Sequence, residues 1–407
     1  MNPWPMVAAD LRAMRWTALF VPLLVALAVA SAVAIGAQER TLRAGSARAA
    51  DDFDLLVGAP GSETQLVLTA VYLDLKALTL MDGGVLARLA GDRRVSAAAP
   101  LAFGDVVRGA PVIGTTAAFA SRWSRLAPAE GRLFEREGEA VVGADVALAV
   151  GATFEPSHAP PGHGHADEEE EARHRHEGHE IRVVGRMPRL GSPYDRAILL
   201  PVESVWEVHG LGSGHATEGR IGPPYDATSV PGVPAIVVKP RTVADAYALR
   251  AQYRTAGTTA VFPAEVLVGL YRMVGDLRDA LAVAAWLNTG LIFAALAALV
   301  GTLASLRRRR YAVLRALGAP AVYIVAVVWL GAAILVAAGG AAGLLLGWAG
   351  ALAVSGVLEA RTGLALALAP AWSDAGLVLG LVALGAAFGI LPALAAYRRP
   401  VDDTLRS

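Results

Sequence analysis

The sequence predicts an α-helical membrane domain of four transmembrane helices, with a large mixed α/β domain outside the membrane between the first and second helices. Three observations lead to this 1+3 topology. The chain has 407 residues, is 55% hydrophobic and has a mean hydropathy of +0.48, which is high for a soluble protein. Four uncharged runs are long enough to cross a bilayer. Residues 37–279, between the first two runs, instead carry charges and short β-rich segments.

Composition excludes several classes of protein. The formal net charge is zero, so there is no overall basic field to attract nucleic acid, and we expect no nucleic-acid partner. The chain has no cysteine, which excludes disulfides, cysteine-ligated zinc, iron–sulfur clusters and thiol nucleophiles. Any metal site must therefore use histidines and carboxylates.

The first predicted transmembrane helix is residues 17–36, "TALFVPLLVALAVASAVAIG". Twenty uncharged residues form a helix about 30 Å long, which matches a bilayer core. The run is longer than the apolar region of a signal peptide, roughly 7–15 residues. We therefore expect a retained anchor, with residues 1–16 as a cytoplasmic N-terminus.

Three further membrane helices are predicted toward the C-terminus. The second is 280–306, the third is 321–350 within a longer apolar run, and the fourth is 375–397, interrupted by Pro392. Residues 351–374 are predicted to form a short extracytoplasmic loop.

Arginine placement predicts the orientation. Arginines precede the first span, follow the second and follow the fourth, and basic residues favour the cytoplasmic side. Both termini (1–16 and 398–407) and residues 307–320 are then cytoplasmic. The large domain is periplasmic, in a bacterial inner membrane.

The outside domain, 37–279, shows patterns of both strands and helices. Short β-rich runs are bounded by glycine, proline or charge: "FDLLVGAP", "EAVVGADVA", "EIRVVGRM", "RAILLPV" and "PAIVVKP". "TVADAYALRAQYRTAG" has helical composition. Leu267, Leu270, Val274, Leu277 and Leu281 follow a 3-4 spacing, which predicts a helix that leads into the second span, either as a stalk or packed on its own domain.

The segment 307–320, "RRRRYAVLRALGAP", is a basic amphipathic helix ended by Gly-Ala-Pro. It resembles the cytoplasmic coupling segment of MacB/FtsX-type ABC transporter permeases, whose pattern ends in Leu-Arg-Ala-Leu-Gly-Ala. Arg310 stands where that family usually has an acidic residue. The resemblance implies ATPase-coupling roles for Arg309, Arg310, Leu314, Arg315, Leu317 and Gly318.

Three other segments carry the same resemblance. "LPALAAYRRPVDDTLRS" is similar to the family's C-terminal pattern, through Pro392, Arg398, Arg399 and Pro400. "VVGADVALAVGATF" is similar to a glycine-centred segment of the family's outside domain, and "GSPYDRAILLPVESVWEVH" is similar to a segment in a subgroup of these permeases.

The resemblance implies a non-catalytic permease subunit. A P-loop needs Gly-Lys-Ser/Thr, but Leu75 precedes Lys76 and Val238 precedes Lys239. ATP and Mg²⁺ would therefore bind a separate cytoplasmic ABC ATPase. The family further implies a permease homodimer surrounded by membrane lipid, and mechanotransmission to the outside domain and an extracytoplasmic partner protein. Efflux, extraction of lipid or lipoprotein, and signalling remain open.

The segment from His158 to Glu180 holds six of the eight histidines beside four consecutive glutamates, and it reads as an insertion between two β-rich runs. The spacing of its imidazoles suits zinc or another divalent metal, with these candidate ligands: His163, His165, His174, His176 and His179. A solvated loop that binds metal adventitiously fits the same composition. The alternative function is therefore a membrane-anchored metal-binding receptor or sensor.

Glycines in the third predicted span have a spacing typical of helix contacts. Gly339 and Gly343 form a small-xxx-small pair, which is common where membrane helices pack closely. Lipid-facing sequence of low complexity explains the same pattern, so both interpretations remain open.

Overall fold

In a computed structural model, the residues that can be described are 2–13, 15–158, 180–217, 219–272 and 317–397, with single positions between 273 and 316. The statements below concern these residues.

The chain divides into two compact units. The first comprises Met1–Leu42, Val274–Val357 and Ala367–Ser407, and the second comprises Arg43–Met273 and Leu358–Leu366. The short segment Leu358–Leu366 thus belongs to the unit that contains the predicted outside domain.

The second unit is built on one mixed sheet. Its strands are β1 (Leu55–Gly58), β2 (Val95–Val107), β3 (Ala110–Thr115), β4 (Glu130–Gly131), β5 (Glu139–Val142), β6 (Thr153–Phe154), β7 (Ser157–His158), β8 (Ile181–Arg186), β9 (Ile198–Pro201), β10 (Ala235–Pro240) and β11 (Thr259–Val261). Their order is β11-β1-β10-β2-β3-β9-β5-β8-β4, with β6 on β8 and β7 on β2. The β3–β9 and β5–β8 pairs are parallel and the other pairs are antiparallel.

The helices, in chain order, are α1 (Trp4–Ala13), α2 (Arg15–Ala50), α3 (Glu63–Tyr72), α4 (Gly84–Gly91), α5 (Ala117–Ala120), α6 (Val202–Val208), α7 (Val243–Tyr253), α8 (263–272), α9 (Ala321–Thr362) and α10 (Trp372–Tyr397). A 3-10 turn, Pro193–Arg196, precedes β9. Some of these helices begin at a residue whose side chain caps the first turn. For example, the Thr242 hydroxyl accepts a hydrogen bond from the Asp245 amide (3.1 Å) and caps α7.

Strands β1 and β9 are covered on both faces of the sheet, which explains why they are apolar throughout rather than alternating. Leu55 and Val57 of β1 belong to one buried core, and Leu56 between them belongs to the other. β9 follows the same rule, with Ile198 in the first core and Leu199 in the second. Successive side chains of a strand point to opposite faces, so a doubly covered strand reads as a continuous apolar run.

The predicted β-rich runs are confirmed as β1, β5, β8, β9 and β10, and the predicted helix as α7. β2 was missed, although it is the longest strand at 13 residues. Its sequence, "VSAAAPLAFGDVV", is rich in alanine and interrupted by Pro100 and Gly104, residue types that are depleted in strands. It pairs with β10 over its first half and with β3 over its second, with a register shift between Ala102 and Asp105.

Helix α9 packs tightly on α2 in the first unit. A Cβ atom added at Gly339 would lie 2.7 Å from Val25 Cβ, one at Gly343 2.6 Å from Val29 Cβ, and one at Gly347 2.9 Å from Val33 Cβ. Of the two interpretations of the glycine pattern, the close-packed helix contact is therefore correct, and Gly347 extends it by one more turn.

Two polar contacts join α2 to α10 and to α9. Arg40 of α2 donates from Nη2 to both carboxylate oxygens of Asp374 in the first turn of α10, at 2.7 and 2.8 Å. Ser355 of α9 donates from its hydroxyl to the Gln38 side-chain oxygen at 3.2 Å. Each lies toward the end of the apolar part of α2.

The helices are longer than the predicted spans. Stretches within α2 (Ala18–Ala50) and α9 (Val322–Thr362) are long and apolar enough to cross a membrane, and α10 contains a shorter apolar stretch, Trp372–Leu384. The predicted loop 351–374 is wrong for its first part, because α9 continues to Thr362. No proline interrupts "ALAVSGVLEART", and the helix ends at Gly363, whose φ of +70° glycine adopts readily.

The second predicted span, 280–306, lies for most of its length outside the described residues. Of the predicted helix that leads into it, residues 263–272 are helical and Leu267 is buried.

Candidate functional site

The end of α9 contacts residues 189–197 of the outside domain, and the end of α2 is connected to the same residues through Arg122. We call this place the helix-end junction; it comprises Arg48, Asp52, Arg122, Arg189–Ala197 and Ala360–Leu366. All of these residues belong to the second unit. Leu364 and Leu366 are buried in its core, so the segment after α9 is an integral part of this domain.

Arg196 holds the C-terminus of α9. Its Nη1 donates to the carbonyl oxygen of Ala360 at 2.8 Å and its Nη2 to that of Arg361 at 2.9 Å. The last carbonyls of a helix have no partner within the helix and carry its negative dipole end. A guanidinium therefore satisfies two of them and matches their charge.

Ala365 is held on two sides by main-chain hydrogen bonding. Its amide donates to the Gly191 carbonyl and its carbonyl accepts from Arg48 Nη2, both at 3.0 Å. Gly191 has a φ of +70°, and a Cβ atom there would lie 2.7 Å from that of Ala365. Glycine is needed at 191 for both reasons.

Asp195 shapes the turn that carries these contacts. Its carboxylate accepts from the amides of Leu190 and Gly191, at 2.7 Å each. Burial raises the pKa of Asp195, and the two amide hydrogen bonds act against that rise. The Asp195 carbonyl also accepts from the Asp145 amide at 2.7 Å, and a Cβ at Gly143 would overlap this carbonyl oxygen.

That last contact joins two of the segments quoted for the family resemblance. Gly143 lies in "VVGADVALAVGATF" and Asp195 in "GSPYDRAILLPVESVWEVH". Glycine at 143 lets the two backbones touch, and the Gly143 amide donates to the Ala197 carbonyl at 2.9 Å.

The junction reaches the end of α2 through a buried arginine. The Arg122 guanidinium lies over the rings of Phe119 (4.5 Å) and Tyr194 (4.4 Å), and its Nε is 3.2 Å from Asp52 Oδ2. Burial lowers the pKa of Arg122 to about 10. Asp52 follows α2 directly, so a buried charge, two ring faces and a carboxylate connect that helix end to Tyr194.

Tyr194 continues the connection into α3. Its hydroxyl donates to the Ala70 carbonyl at 2.6 Å, and burial raises the pKa of the phenol. Sequence reasoning missed the junction because no local pattern shows that residues more than 160 positions apart, such as Arg196 and Ala360, are neighbours.

The described part of the predicted coupling segment is a helix end. The Ala319 amide donates to the Leu314 carbonyl at 2.9 Å, and Gly318 has a φ of +93°. This is the hydrogen bond and the left-handed residue of a Schellman motif. Leu314 packs against the cluster of Ile324 and Val328, whereas Leu317 is 80% exposed.

The other predicted site residues fall as follows. Arg310 is described, whereas Arg309 and Arg315 lie outside the described residues. Pro392 lies within α10. The remaining predicted site residues also lie outside the described residues: Arg398, Arg399, Pro400, His163, His165, His174, His176 and His179.

Comparison with known proteins finds one family model that matches part of this chain. Residues 282–401 match the family model described as FtsX-like permease C-terminal. No curated protein matches the chain.

Two solved structures are similar to the outside domain. One is the periplasmic region of MacB from Actinobacillus actinomycetemcomitans, with 10% identity over 54% of this chain and 94% of that one, at a TM-score of 0.32. The other is the extracellular domain of the noncanonic ABC-type transporter YknZ from Gram-positive bacteria, with 11% identity over 51% of this chain and 98% of that one, at a TM-score of 0.29.

The chain therefore carries an FtsX-like permease C-terminal domain over residues 282–401. Its described residues include two helices that are long and apolar enough to cross a membrane.

Proposed function

We propose that this chain is the permease subunit of a MacB/FtsX-type ABC system, in which a separate cytoplasmic ATPase drives conformational work in the outside domain. The observation that carries the proposal is the match of residues 282–401 to the FtsX-like permease C-terminal family. The lack of a Gly-Lys-Ser/Thr sequence in the chain supports placing ATP hydrolysis, with ATP and Mg²⁺, on the partner.

The exposed end of the coupling segment supports a docked partner. Leu317 is 80% exposed and Val313 is 48% exposed. Two apolar side chains held at a helix end closed by Gly318 offer a small, well-defined contact for another protein. We infer that Leu317 enters a groove of the ATPase and that Arg310 and Arg315 contribute charge around it.

The helix-end junction supports mechanotransmission as the form of work. Arg196 and Ala365 attach the end of α9 to the turn built by Asp195, and Arg122 attaches the end of α2 to the same turn. A movement of α2 or α9 along its axis would then displace residues 189–197. We infer that this turn, which directly precedes β9, receives the motion.

The proposal includes the membrane arrangement predicted from the sequence. The chain has four spans in the 1+3 topology, with both termini cytoplasmic, the large domain periplasmic and two permeases per complex. The absence of cysteine allows a direct test, in which single cysteines introduced at Ser213, Ser229 and Ser407 are treated with an impermeant maleimide on intact cells. Labelling at 213 and at the exposed position 229, but not at 407, is expected; labelling at 407 would overturn the orientation.

The coupling itself is tested by purification of the full chain from its native membrane. A P-loop ATPase should co-purify, and its activity in proteoliposomes should rise with the permease. Leu317→Asp should abolish that rise, because it places a charge in the contact. Leu211→Asp, which changes a 48% exposed leucine of the outside domain, is the matched control and should leave the activity unchanged.

Two outcomes would contradict the proposal: no ATPase in the purified complex, or equal activity with Leu317→Asp. Export, extraction of lipid or lipoprotein, and signalling to an extracytoplasmic partner all use the same coupling. The metal-receptor alternative depends on residues 159–179, which lie outside the described residues, and it stays a prediction.

A further inference from the structure

Three consecutive residues between α5 and β4 have left-handed backbone conformations. Arg122, Trp123 and Ser124 have φ angles of +49°, +61° and +64°, and we call these residues the left-handed turn. Residues other than glycine visit this region singly, because their Cβ atom crowds the following carbonyl oxygen and each one costs free energy. In the described part of the chain, the other non-glycine residues with positive φ, Leu73 and Arg108, stand alone.

The left-handed turn is joined to the end of α5 by hydrogen bonds from its amides. The Trp123 amide donates to the Ala118 carbonyl at 2.6 Å, and the Ser124 amide donates to the Ser121 hydroxyl at 3.1 Å. The Leu126 amide, just past the turn, donates to the Ser121 carbonyl at 3.0 Å. These amides are protected while the turn is formed, so their hydrogen exchange measures its opening.

Three side chains from this region converge on one residue, Asp52. Arg122 Nε lies 3.2 Å from Asp52 Oδ2, and Trp123 Nε1 donates to the Asp52 carbonyl at 3.2 Å. Arg125 Nη2 pairs with Asp52 Oδ1. A strained backbone persists only where the surrounding contacts over-determine it. Asp52 supplies three of those contacts, so the strain is kept while Asp52 stays in place.

The position of Asp52 is set by α2. The helix ends at Ala50, and the Phe53 amide donates to the Ala50 carbonyl at 3.0 Å. Asp52 therefore lies in a tight turn that directly continues the helix. A movement of the last turn of α2 would displace the carboxylate and the carbonyl of Asp52 together, and would remove all three contacts at once.

We propose that the left-handed turn is a strained clamp, which is closed while it holds Asp52 and relaxes when α2 withdraws that residue. Opening takes the Arg122 guanidinium away from the rings of Phe119 and Tyr194, and so changes the contacts of the helix-end junction. Because the strain favours opening and the Asp52 contacts favour closure, the junction has two discrete states rather than a graded response. The clamp rests on the proposed function only in that ATP-driven work moves α2.

The strain is tested by hydrogen exchange on the full chain in detergent, with no ATPase present. Ser124→Gly, at an exposed position, removes one crowded Cβ atom, and this relief corresponds to a factor of about 5–30 in the opening equilibrium. The greater freedom of glycine in the open state offsets a factor of about 2–5, so exchange of the peptide 119–127 should slow by roughly 3-fold. Ser124→Ala keeps the Cβ atom, and as the matched control it should not slow the exchange.

The same measurement tests the role of Asp52. Asp52→Asn removes the charge that faces Arg122 and Arg125, and exchange should become faster by roughly 10-fold, as expected for the loss of charged hydrogen bonds. Asp51→Asn, at the neighbouring exposed position, is the control and should leave exchange unchanged. Ser124→Gly combined with Asp52→Asn should slow the exchange again, because glycine adopts the left-handed conformation without help from the carboxylate.

Two results would overturn the clamp: equal exchange in Ser124→Gly and Ser124→Ala, or no faster exchange in a folded Asp52→Asn variant. The first comparison changes only an exposed side chain, so it decides the question even where Asp52→Asn does not fold.

A second arm separates the clamp from the proposed function. In the complex with the ATPase, a non-hydrolysable ATP analogue should make exchange of the peptide 119–127 faster. Unchanged exchange in an active complex would overturn the part of the clamp in transmission and leave the proposed function standing. Failure to isolate an ATPase would contradict the proposed function instead, and the exchange of the chain alone would still decide whether the clamp exists.

Discussion

Gly343 of α9 lies against Val29 of α2 so closely that a Cβ atom at position 343 would be 2.6 Å from Val29 Cβ and 2.7 Å from the Ala26 carbonyl oxygen. The same contact repeats one turn earlier at Gly339 and one turn later at Gly347. Without a hydrophobic driving force between helices in lipid, close approach of backbones is a main source of helix association. The glycine stripe thus selects which helix α9 packs on.

Gly343→Ala should destabilise the first unit, although alanine is the better helix former. Replacement of a mid-helix glycine by alanine stabilises a helix by about 1 kcal/mol, but at 343 the added methyl would overlap Val29. The matched control is Gly350→Ala in the same helix, where no atom lies within 4 Å of the added Cβ. Thermal unfolding in detergent should show a lower midpoint for Gly343→Ala and an equal or higher one for Gly350→Ala. Equal midpoints for the two variants would contradict the close packing.

Arg196→Gln should loosen the helix-end junction. The variant loses charged hydrogen bonds to the carbonyls of Ala360 and Arg361, and the free energy of unfolding should fall by about 1–2 kcal/mol because the site is partly exposed. Arg220→Gln, an exposed arginine of the same domain, is the control. Chemical denaturation of the full chain measures the fall.

The same variant tests the transmission route. If the junction carries motion from α9, Arg196→Gln should leave ATPase co-purification intact but reduce the permease-dependent rise in ATPase activity. A variant that binds the ATPase and stimulates it fully would argue against this route, whatever its effect on stability.

The Arg40–Asp374 pair should show charge coupling. The Asp374 side chain is 7% exposed, so Arg40→Ala leaves a nearly buried carboxylate without its bidentate partner, at a cost of about 3 kcal/mol or more. The exchanged pair Arg40→Asp with Asp374→Arg should recover part of this loss. Recovery should be incomplete, because an arginine at 374 lies in the first turn of α10, where the helix dipole favours an acid. Additive effects of the two single changes would refute the coupling.

Glu139 makes stability depend on acid pH. The hydrogen bond from Arg132 is the main cause that lowers the pKa of Glu139 to about 2 from an ordinary 4.5. A carboxyl with a depressed folded-state pKa adds stability above its unfolded pKa and loses it as the pH falls. Arg132→Gln should therefore lower the unfolding midpoint at pH 7, and the difference from the wild type should vanish between about pH 4.5 and 2. Arg93→Gln serves as the control and should show no such pH-dependent difference.

Much of the architecture was predictable because its signals are local. Leu55–Gly58 and Ala235–Pro240 are apolar runs short enough to be strands, and each has a neighbouring strand on both sides in the sheet. The helix end at Gly318 was readable from Leu-Gly-Ala-Pro. β2 was not predicted, because Pro100 and Gly104 oppose a strand locally and pairing with two different neighbours overrides them.

The candidate sites were predictable only in part. Leu317 was identified from its motif, and the structure adds that its side chain is exposed. Arg196 was quoted within a family segment, but its contact with the end of α9 could not be foreseen.

The sequence by itself determined the long apolar helices, the absence of a P-loop motif and of cysteine, the family resemblance and the short strands of the outside domain. Each of these is a property of residues close together in the sequence, so composition and the spacing of apolar residues are enough to predict it. The tertiary structure alone decided that Gly343 meets Val29 and that Arg196 holds the end of α9. Those pairs are brought together by chain folding over more than a hundred positions, and the energy that selects them comes from burial and hydrogen bonding that exist only once the sheet and the helices are assembled.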